Sequence, residues 1–376
     1  MATALTVERV RSDVDVLARA GLDVDEFIGE AISSLTRAVP HTAACAATVD
    51  PNTLMLTSAR KYGSLLGRNE HDDEFGMIEY GMVEDSSFRE LATSGVDAVG
   101  MHHLTAGDTG RSHRMGEFMS PLFDFADEAR LIVRDGDQVW GGFAFFRVAG
   151  EEPFTPAEVD ILRSVSQPLA RGVRTGLLAS VIAEPQTTPM GPCVLIVGSD
   201  NQMIQMSAGA EERVDDLLAG SNSGAATTVI TALVGAARRY GRGESNVPPR
   251  LRVRGASGMW LVVHASPLSN ADGRVGEVVV TIEEARPPEI VPLVVAAFGL
   301  TARERDVTQM VLQGVATKDI AATLHVSAYT VQDHLKSIFD KAGVRSRREL
   351  IARVYFDQYA PRMNEPLLPS GTFEPR

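Results

Sequence analysis

Four short, sharply punctuated helices can be read between Leu300 and Ile351, and this stretch constrains the rest of the chain. Thr301 and Glu304 have the spacing of a capping box, and Val307, Met310 and Val311 give the helix behind them an apolar stripe. Gly314 stops that helix. Thr317 is placed to cap a second, very short helix with Ile320, Ala321 and Leu324 on its inner face. His325 and Val326 make a tight turn, Ser327 caps a third helix, and Gly343 ends it after Ala342. Ser346 and Glu349 repeat the capping-box spacing for a fourth helix. Two short helices joined by a tight turn, the second longer than the first, form the pattern of a helix-turn-helix.

In the third helix Val331, Leu335, Ile338 and Ala342 recur at helical spacing and point inward. Tyr329, Gln332, Asp333, Lys336 and Asp340 fall on the opposite face. Amide, hydroxyl, carboxylate and ammonium groups on one helix face can hydrogen-bond base edges in a major groove. Thr317, Lys318, Thr330, Lys341, Arg345, Arg347 and Arg348 lie around it and can hold phosphates. The plain alternative is a small helical bundle with a solvated face.

The run Leu300–Val307, together with Gly314, Lys318–Ala321, Leu324, Val326-Ser327, Thr330-Val331, His334–Lys336, Ile338, Lys341 and Arg347, resembles the LuxR/NarL-type helix-turn-helix of bacterial transcription regulators. The resemblance covers roughly 297–356 and implies binding of double-stranded DNA by a homodimer, the third helix lying in the major groove. By that resemblance Gln332, Asp333 and Lys336 face bases, and Thr317, Lys318, Thr330, Lys341 and Arg347 face phosphates. Asp333 departs from the basic or apolar residue common there, and is placed either to accept from a cytosine amino group or to repel phosphate, which leaves the site sequence open.

Charge is distributed to match. Residues 292–360 hold nine Lys and Arg against seven Asp and Glu, and the tail 361–376 is balanced. Of the chain's net −13, residues 1–291 therefore carry −15, which excludes them as the nucleic-acid surface. A chain of 376 residues predicts two or three domains. Cys45 and Cys193 lie in apolar runs, as buried thiols rather than a disulfide framework or metal cluster. No apolar run approaches the roughly 18 residues of a membrane span. With no leader pattern at the start, the expectation is a cytoplasmic protein.

The front of the chain reads as two helices, 7–20 and 23–39, then a hairpin around Asp50-Pro51-Asn52. A short helix follows at 86–94, and 100–120 reads as a long polar loop. A second hairpin turns at Asp135-Gly136-Asp137. Its second arm is central, since Trp140, Ala144 and Phe146 on one face and Val139, Phe143 and Phe145 on the other are all apolar. Thr155-Pro156-Ala157-Glu158 caps a long exit helix that Pro168 should kink, and whose apolar stripe could pair with a twin. This order, with Phe154–Glu158, resembles a GAF domain over 1–181. Such domains cup a small ligand or serve as dimerising surfaces, and here the cup would lie between 100–120 and the sheet holding Trp140 and Phe143–Phe146.

A linker spans 182–190. Strands at 193–198 and 202–207, a helix at 208–218, a Gly/Ser stretch at 219–225 and a helix at 227–240 follow. Three strands, 250–253, 259–266 and 275–283, complete the pattern, with a turn at 269–273. Gly258–Leu268 within it resembles a PAS-type sensory domain over 191–284. Arg286-Pro287-Pro288 then reads as a hinge before a DNA-binding domain at 292–360.

The fold expectation is thus α+β multidomain: GAF-like and PAS-like α/β sensors, then an all-α four-helix module. His102, His103, Asp108 and His113 have no metal-ligand spacing, and His264 reads as a satisfied core histidine. No catalytic, metal or cofactor site is expected. The functional expectation is a bacterial transcription regulator gated by a small ligand or a partner. The alternatives are front domains that serve only dimerisation or protein interaction, or an enzyme with an accessory DNA-binding module.

Overall fold

A computed structural model describes residues 3–178, 192–218, 225–269 and 275–355. The linker read at 182–190 lies outside these residues, as do the Gly/Ser stretch and the turn at 269–273 apart from Ala225 and Ser269. The chain divides into two compact units, one of residues 1–179, 190–256 and 261–284, the other of 180–189, 257–260 and 285–376.

The first unit opens with α1 (Ala4–Leu17), capped by Thr3, and α2 (Val24–Leu35), capped by the Asp23 carboxylate. Strands β1 (Ala43–Val49) and β2 (Leu56–Gly63) form the expected hairpin, and α3 (Asp72–Gly81) and α4 (Phe88–Ser94) follow. After β3 (Ala98–Gly100), the segment read as a loop is largely helical turns. These are α5 (Met101–Leu104), a 3₁₀ turn at Thr109–Arg111, a π-type turn at Arg114–Met119, and α6 (Ser120–Phe123). Two of its polar side chains are internal partners, Ser112 binding Glu84 and Arg114 buried on Glu128, while His103, Asp108, Arg111 and Glu117 remain exposed.

Strands β4 (Phe125–Asp135) and β5 (Gln138–Val148) complete an antiparallel sheet of order β2-β1-β5-β4-β3, with β5 at its centre as its two apolar faces require. Helices α7 (Pro156–Ser164) and α8 (Ser166–Leu178) follow the Thr155–Glu158 capping box. The helix breaks at Val165 rather than kinking at Pro168. Proline lacks an N–H and crowds the carbonyl of Ser164, so the interruption falls one turn upstream. The α8 stripe is consumed within the chain: Leu169, Ala170 and Val173 are buried, and Gly172 lies flat against the Phe27 ring of α2.

The second sheet is built from β6 (Cys193–Val197), β7 (Met203–Met206), β8 (Arg250–Arg254), β9 (Trp260–Ser269) and β10 (Val275–Glu284). Its order is β7-β6-β10-β9-β8, with α9 (Ala210–Leu218) and α10 (Ala225–Gly241) between β7 and β8 in sequence. His264 on β9 is half-buried rather than core.

Helices α3 and α10 lock the two sheets of this unit together. A Cβ on Gly76 would stand 2.5 Å from Thr231 Oγ1 and 2.9 Å from the Thr228 carbonyl oxygen, and one on Gly81 would stand 3.3 Å from Gly235 Cα. Only residues without side chains allow helix backbones this close. Alongside, the Asp50 carboxylate accepts from Arg252 through its backbone N–H at 2.9 Å and its Nε at 2.8 Å, both residues buried, and Glu90 pairs with Arg239 at 2.8 Å. A buried ion pair left half-made costs several kcal/mol, roughly 3–5, so the Asp50–Arg252 pair favours this docking of the two sheets.

The second unit contains, among the described residues, five helices rather than four. Pro287 and Pro288 open α11 (Pro287–Ala297) instead of acting as a hinge. Proline at the first helical positions sacrifices only N–H groups that have no intrahelical partner, and Glu289 caps the Arg286 N–H at 2.7 Å. Helices α12 (Ala302–Leu312), α13 (Thr317–Leu324), α14 (Ala328–Ala342) and α15 (Arg347–Tyr355) follow. Ile290, Val307, Ile320, Val331, Leu335 and Leu350 are among the side chains that form the core.

Candidate nucleic-acid interface

Local chemistry positions α14. Ser327 Oγ accepts the Thr330 N–H at 3.0 Å, and Gly343 closes the far end with φ +66°. The turn before it needs a left-handed residue, which is His325 at φ 54°. Ala316, not Thr317, occupies the N-cap position of α13. Thr317 stands at the first helical position, and its hydroxyl accepts from Arg347 at 3.3 Å. Ser346 caps the Glu349 N–H at 3.2 Å, while the Glu349 carboxylate reaches back to the Arg345 N–H at 2.8 Å.

One carboxylate holds α12 against α14. Glu304 is 4% exposed and accepts from Thr301 N–H at 2.7 Å, Ser337 Oγ at 2.6 Å and Lys341 Nζ at 2.6 Å. Burial works against its charge, but the bonds from Lys341, Ser337 and Thr301 prevail and hold its pKa down at about 2. Spacing identified Glu304 as a capping residue; its second role, as anchor for Ser337 and Lys341, needs the helix crossing and was not readable.

The face of α14 opposite its core is open. Tyr329 is 76% exposed, and Gln332, Asp333 and Lys336 are exposed beside it. The residues read as phosphate-facing divide in two. Lys318 is exposed, and Thr330 is half-buried at the start of α14. Lys341 is committed to Glu304, and the Arg347 guanidinium to the Val315 carbonyl and the Thr317 hydroxyl.

Residues 299–354 match the model of the family described as "Bacterial regulatory proteins, luxR family". The spore germination protein GerE of Bacillus subtilis is 36% identical over 55 residues, which are 15% of this chain and 74% of GerE. The chain belongs to the LuxR family. The monoamine regulon transcriptional regulator of Klebsiella aerogenes is 45% identical over 56 residues, again 15% of this chain but only 25% of that protein. This chain therefore spans about a quarter of that relative's length, and the shared part is the LuxR-type module alone. A crystal structure of a phage VqmA–DPO complex aligns with 43% of this chain and 79% of its own at 21% identity, with a TM-score of 0.23, too loose a likeness to carry a conclusion.

Outside the LuxR-type module, the first unit encloses a cavity of about 50 Å³ between its first sheet and α3. Ala144 and Phe146 of β5 line it, whereas Phe143 and Phe145 point to the opposite face of the sheet, and Trp140 is not in the lining. Phe118, Phe123 and Phe146 line it and belong to one buried apolar cluster. Behind the cavity lies a buried ionic cluster. Arg130 donates to Glu79 at 2.9 Å and lies over the Phe88 ring at 3.7 Å, while Arg114 pairs with Glu128. Burial of Arg130 disfavours its charge, yet Glu79 and Glu128 raise its pKa above the ordinary value. Burial also drives the Cys45 thiol, on the cavity wall, up to about 12, so it is inert as a nucleophile.

Proposed function

We propose that this protein is a DNA-binding transcription regulator whose LuxR-type module is controlled by the acidic front of the chain. The observation that carries the reading is the open polar face of α14, held in place by the Glu304 anchor and capped at both ends. In this reading Gln332, Asp333 and Lys336 meet base edges. Lys318 and Thr330 meet phosphates directly, while Thr317, Lys341 and Arg347 support them by fixing α13 and α14. The protein acts on double-stranded DNA as a homodimer, which places two copies of α14 in successive major grooves, about 34 Å apart.

The front is read as a GAF-like sensor over 1–181 and a PAS-like sensor over 191–284, ahead of the DNA-binding domain at 292–360. Two five-stranded antiparallel sheets, each with helices packed on it and the first enclosing a cavity, support that assignment. In the full-length protein, Lys336→Ala should cost roughly 1–3 kcal/mol on the preferred duplex and relax preference at one base position. Lys318→Ala should weaken all duplexes alike and reduce the salt slope by about one. Equal losses on every sequence from both variants would remove α14 from the role of reader.

A further inference from the structure

Strand β7 is an edge of the second sheet, and on it Met203, Ile204 and Met206 are 42%, 50% and 46% exposed. Large apolar side chains gathered in one exposed place mark a surface that something else covers. Two of them, Met203 and Met206, make with the half-buried Val214 of α9 an apolar wall of a cleft of about 460 Å³. Strands β6 and β7 bound the cleft on one side and α9 and α10 on the other, and Asp73 of α3 stands at its rim.

We propose that this cleft binds an organic ammonium ion with an apolar body, the body lying against Met203, Met206 and Val214 and the ammonium among the carboxylates of Asp73, Glu211 and Asp215. The proposal rests on the reading of the front as a sensor. It places the ligand on the second sheet rather than in the cup of the first, and names the class of that ligand.

Size and charge select the site and the class. Pockets for small molecules run to roughly 300–1,000 Å³. The cleft falls in that range, and the 50 Å³ cavity of the first sheet does not. Among the described residues the lining holds three carboxylates, Asp73, Glu211 and Asp215, and neither lysine nor arginine. All three residues are exposed, and none of them pairs with a cation among the described residues. Asp73 Oδ1 accepts the Glu74 N–H at 2.9 Å, which leaves its second oxygen for an occupant. The guanidiniums on the same two helices are committed elsewhere. Arg238 of α10 donates to Asn201 Oδ1 and the Gly198 carbonyl, and Arg213 of α9 is buried on Glu284 at 2.8 Å. The cleft thus meets its occupant with an apolar wall and net negative charge, which attracts a cation and repels an anion of the same shape.

The carboxylates come from two helices, and this gives the occupant a mechanical role. Glu211 and Asp215 are four residues apart on α9, a spacing at which like charges repel. An ammonium between them relieves that repulsion and, through Asp73, ties α9 to α3. Thr231 of α10 also lines the cleft, and it is the side chain against which Gly76 of α3 packs. The occupant therefore sits beside the contact that joins the two sheets.

The test is calorimetric titration of the full-length protein with phenylbutylammonium, phenylbutanol and phenylbutyrate, which share one apolar body and differ in the head group. The ammonium should bind at least about tenfold more tightly than the alcohol, and the carboxylate most weakly. Glu211→Gln combined with Asp215→Asn keeps both side-chain shapes at exposed positions. It should weaken the ammonium about tenfold and leave the alcohol unchanged. Met206→Ala, which cuts back the shared apolar wall, should weaken all three by about threefold or more. The proposal is overturned if the ammonium does not bind, or if the alcohol binds as tightly. It is overturned equally if the double variant leaves the ammonium affinity unchanged, or if Met206→Ala leaves all three unchanged, since binding would then lie elsewhere. Ammonium binding that follows the expected pattern but does not alter DNA affinity would uphold the site and remove the sensor reading.

Discussion

Glu304 shows how much a single residue contributes to presenting the reading face. Its carboxylate accepts three hydrogen bonds, two from α14 and one from the cap of its own helix, in a position almost closed to water. Because its folded pKa lies near 2, below the ordinary 4.5, the ionised form is favoured by folding. The stability it contributes is complete above about 4.5 and is lost as the pH falls from there through about 2. Glu304→Gln should therefore lower stability at neutral pH by on the order of 1–3 kcal/mol. The gap between variant and parent in denaturant midpoint should narrow toward pH 3, while carboxylates elsewhere affect both alike and cancel. A gap that stays constant with pH would mean the charge of Glu304 contributes nothing and only its shape matters.

At the scale of elements, what was readable and what was not divides by the range of the interaction. Caps are local, so Thr155–Glu158, Thr301–Glu304 and Ser327 are where spacing placed them. The central position of β5 followed from its two apolar faces. Pro287-Pro288 misled because the same dipeptide that ends one helix opens another, and only the packing of α11 against α15 decides which. The turns between Met101 and Phe123 were hidden because Ser112 and Arg114, which read as loop residues, are satisfied internally by Glu84 and Glu128 from distant segments. The contact of α3 with α10 had no local signal beyond glycines that could serve many purposes. It makes a clear prediction nonetheless. Gly76→Ala puts a Cβ within 3.0 Å of Thr231 Oγ1, Ala232 N and the Thr228 carbonyl oxygen, two of them backbone atoms that cannot swing away. Overpacking of this kind costs about 1–3 kcal/mol, more than the gain of up to ~1 kcal/mol from replacing a helical glycine. Gly29→Ala in α2 is the control, since its Cβ meets nothing nearer than Tyr62 at 4.0 Å. Thermal unfolding should show the first variant destabilised and the second neutral or stabilised. If both gain stability, α3 and α10 are not in close contact.

At the scale of the whole molecule, the question is whether an occupant of the first unit is felt by DNA bound to the LuxR-type module. A ligand shifts an equilibrium only by its differential affinity for the two states, so coupling has a definite size and must run both ways. If a ligand of the first unit changes the affinity of the full-length protein for a duplex selected by that protein by some factor, then saturating duplex must change the affinity for that ligand by the same factor. Factors of roughly 5–150 are the ordinary range for such coupling. Both titrations, each with and without the other ligand, close the cycle. A factor of one on both legs, with binding of each ligand intact, would establish that the front of the chain assembles or stabilises the protein without gating it. Unequal factors would show that a third process, such as a change in oligomeric state, is being read as coupling, and repeating the cycle over a range of protein concentrations would expose it.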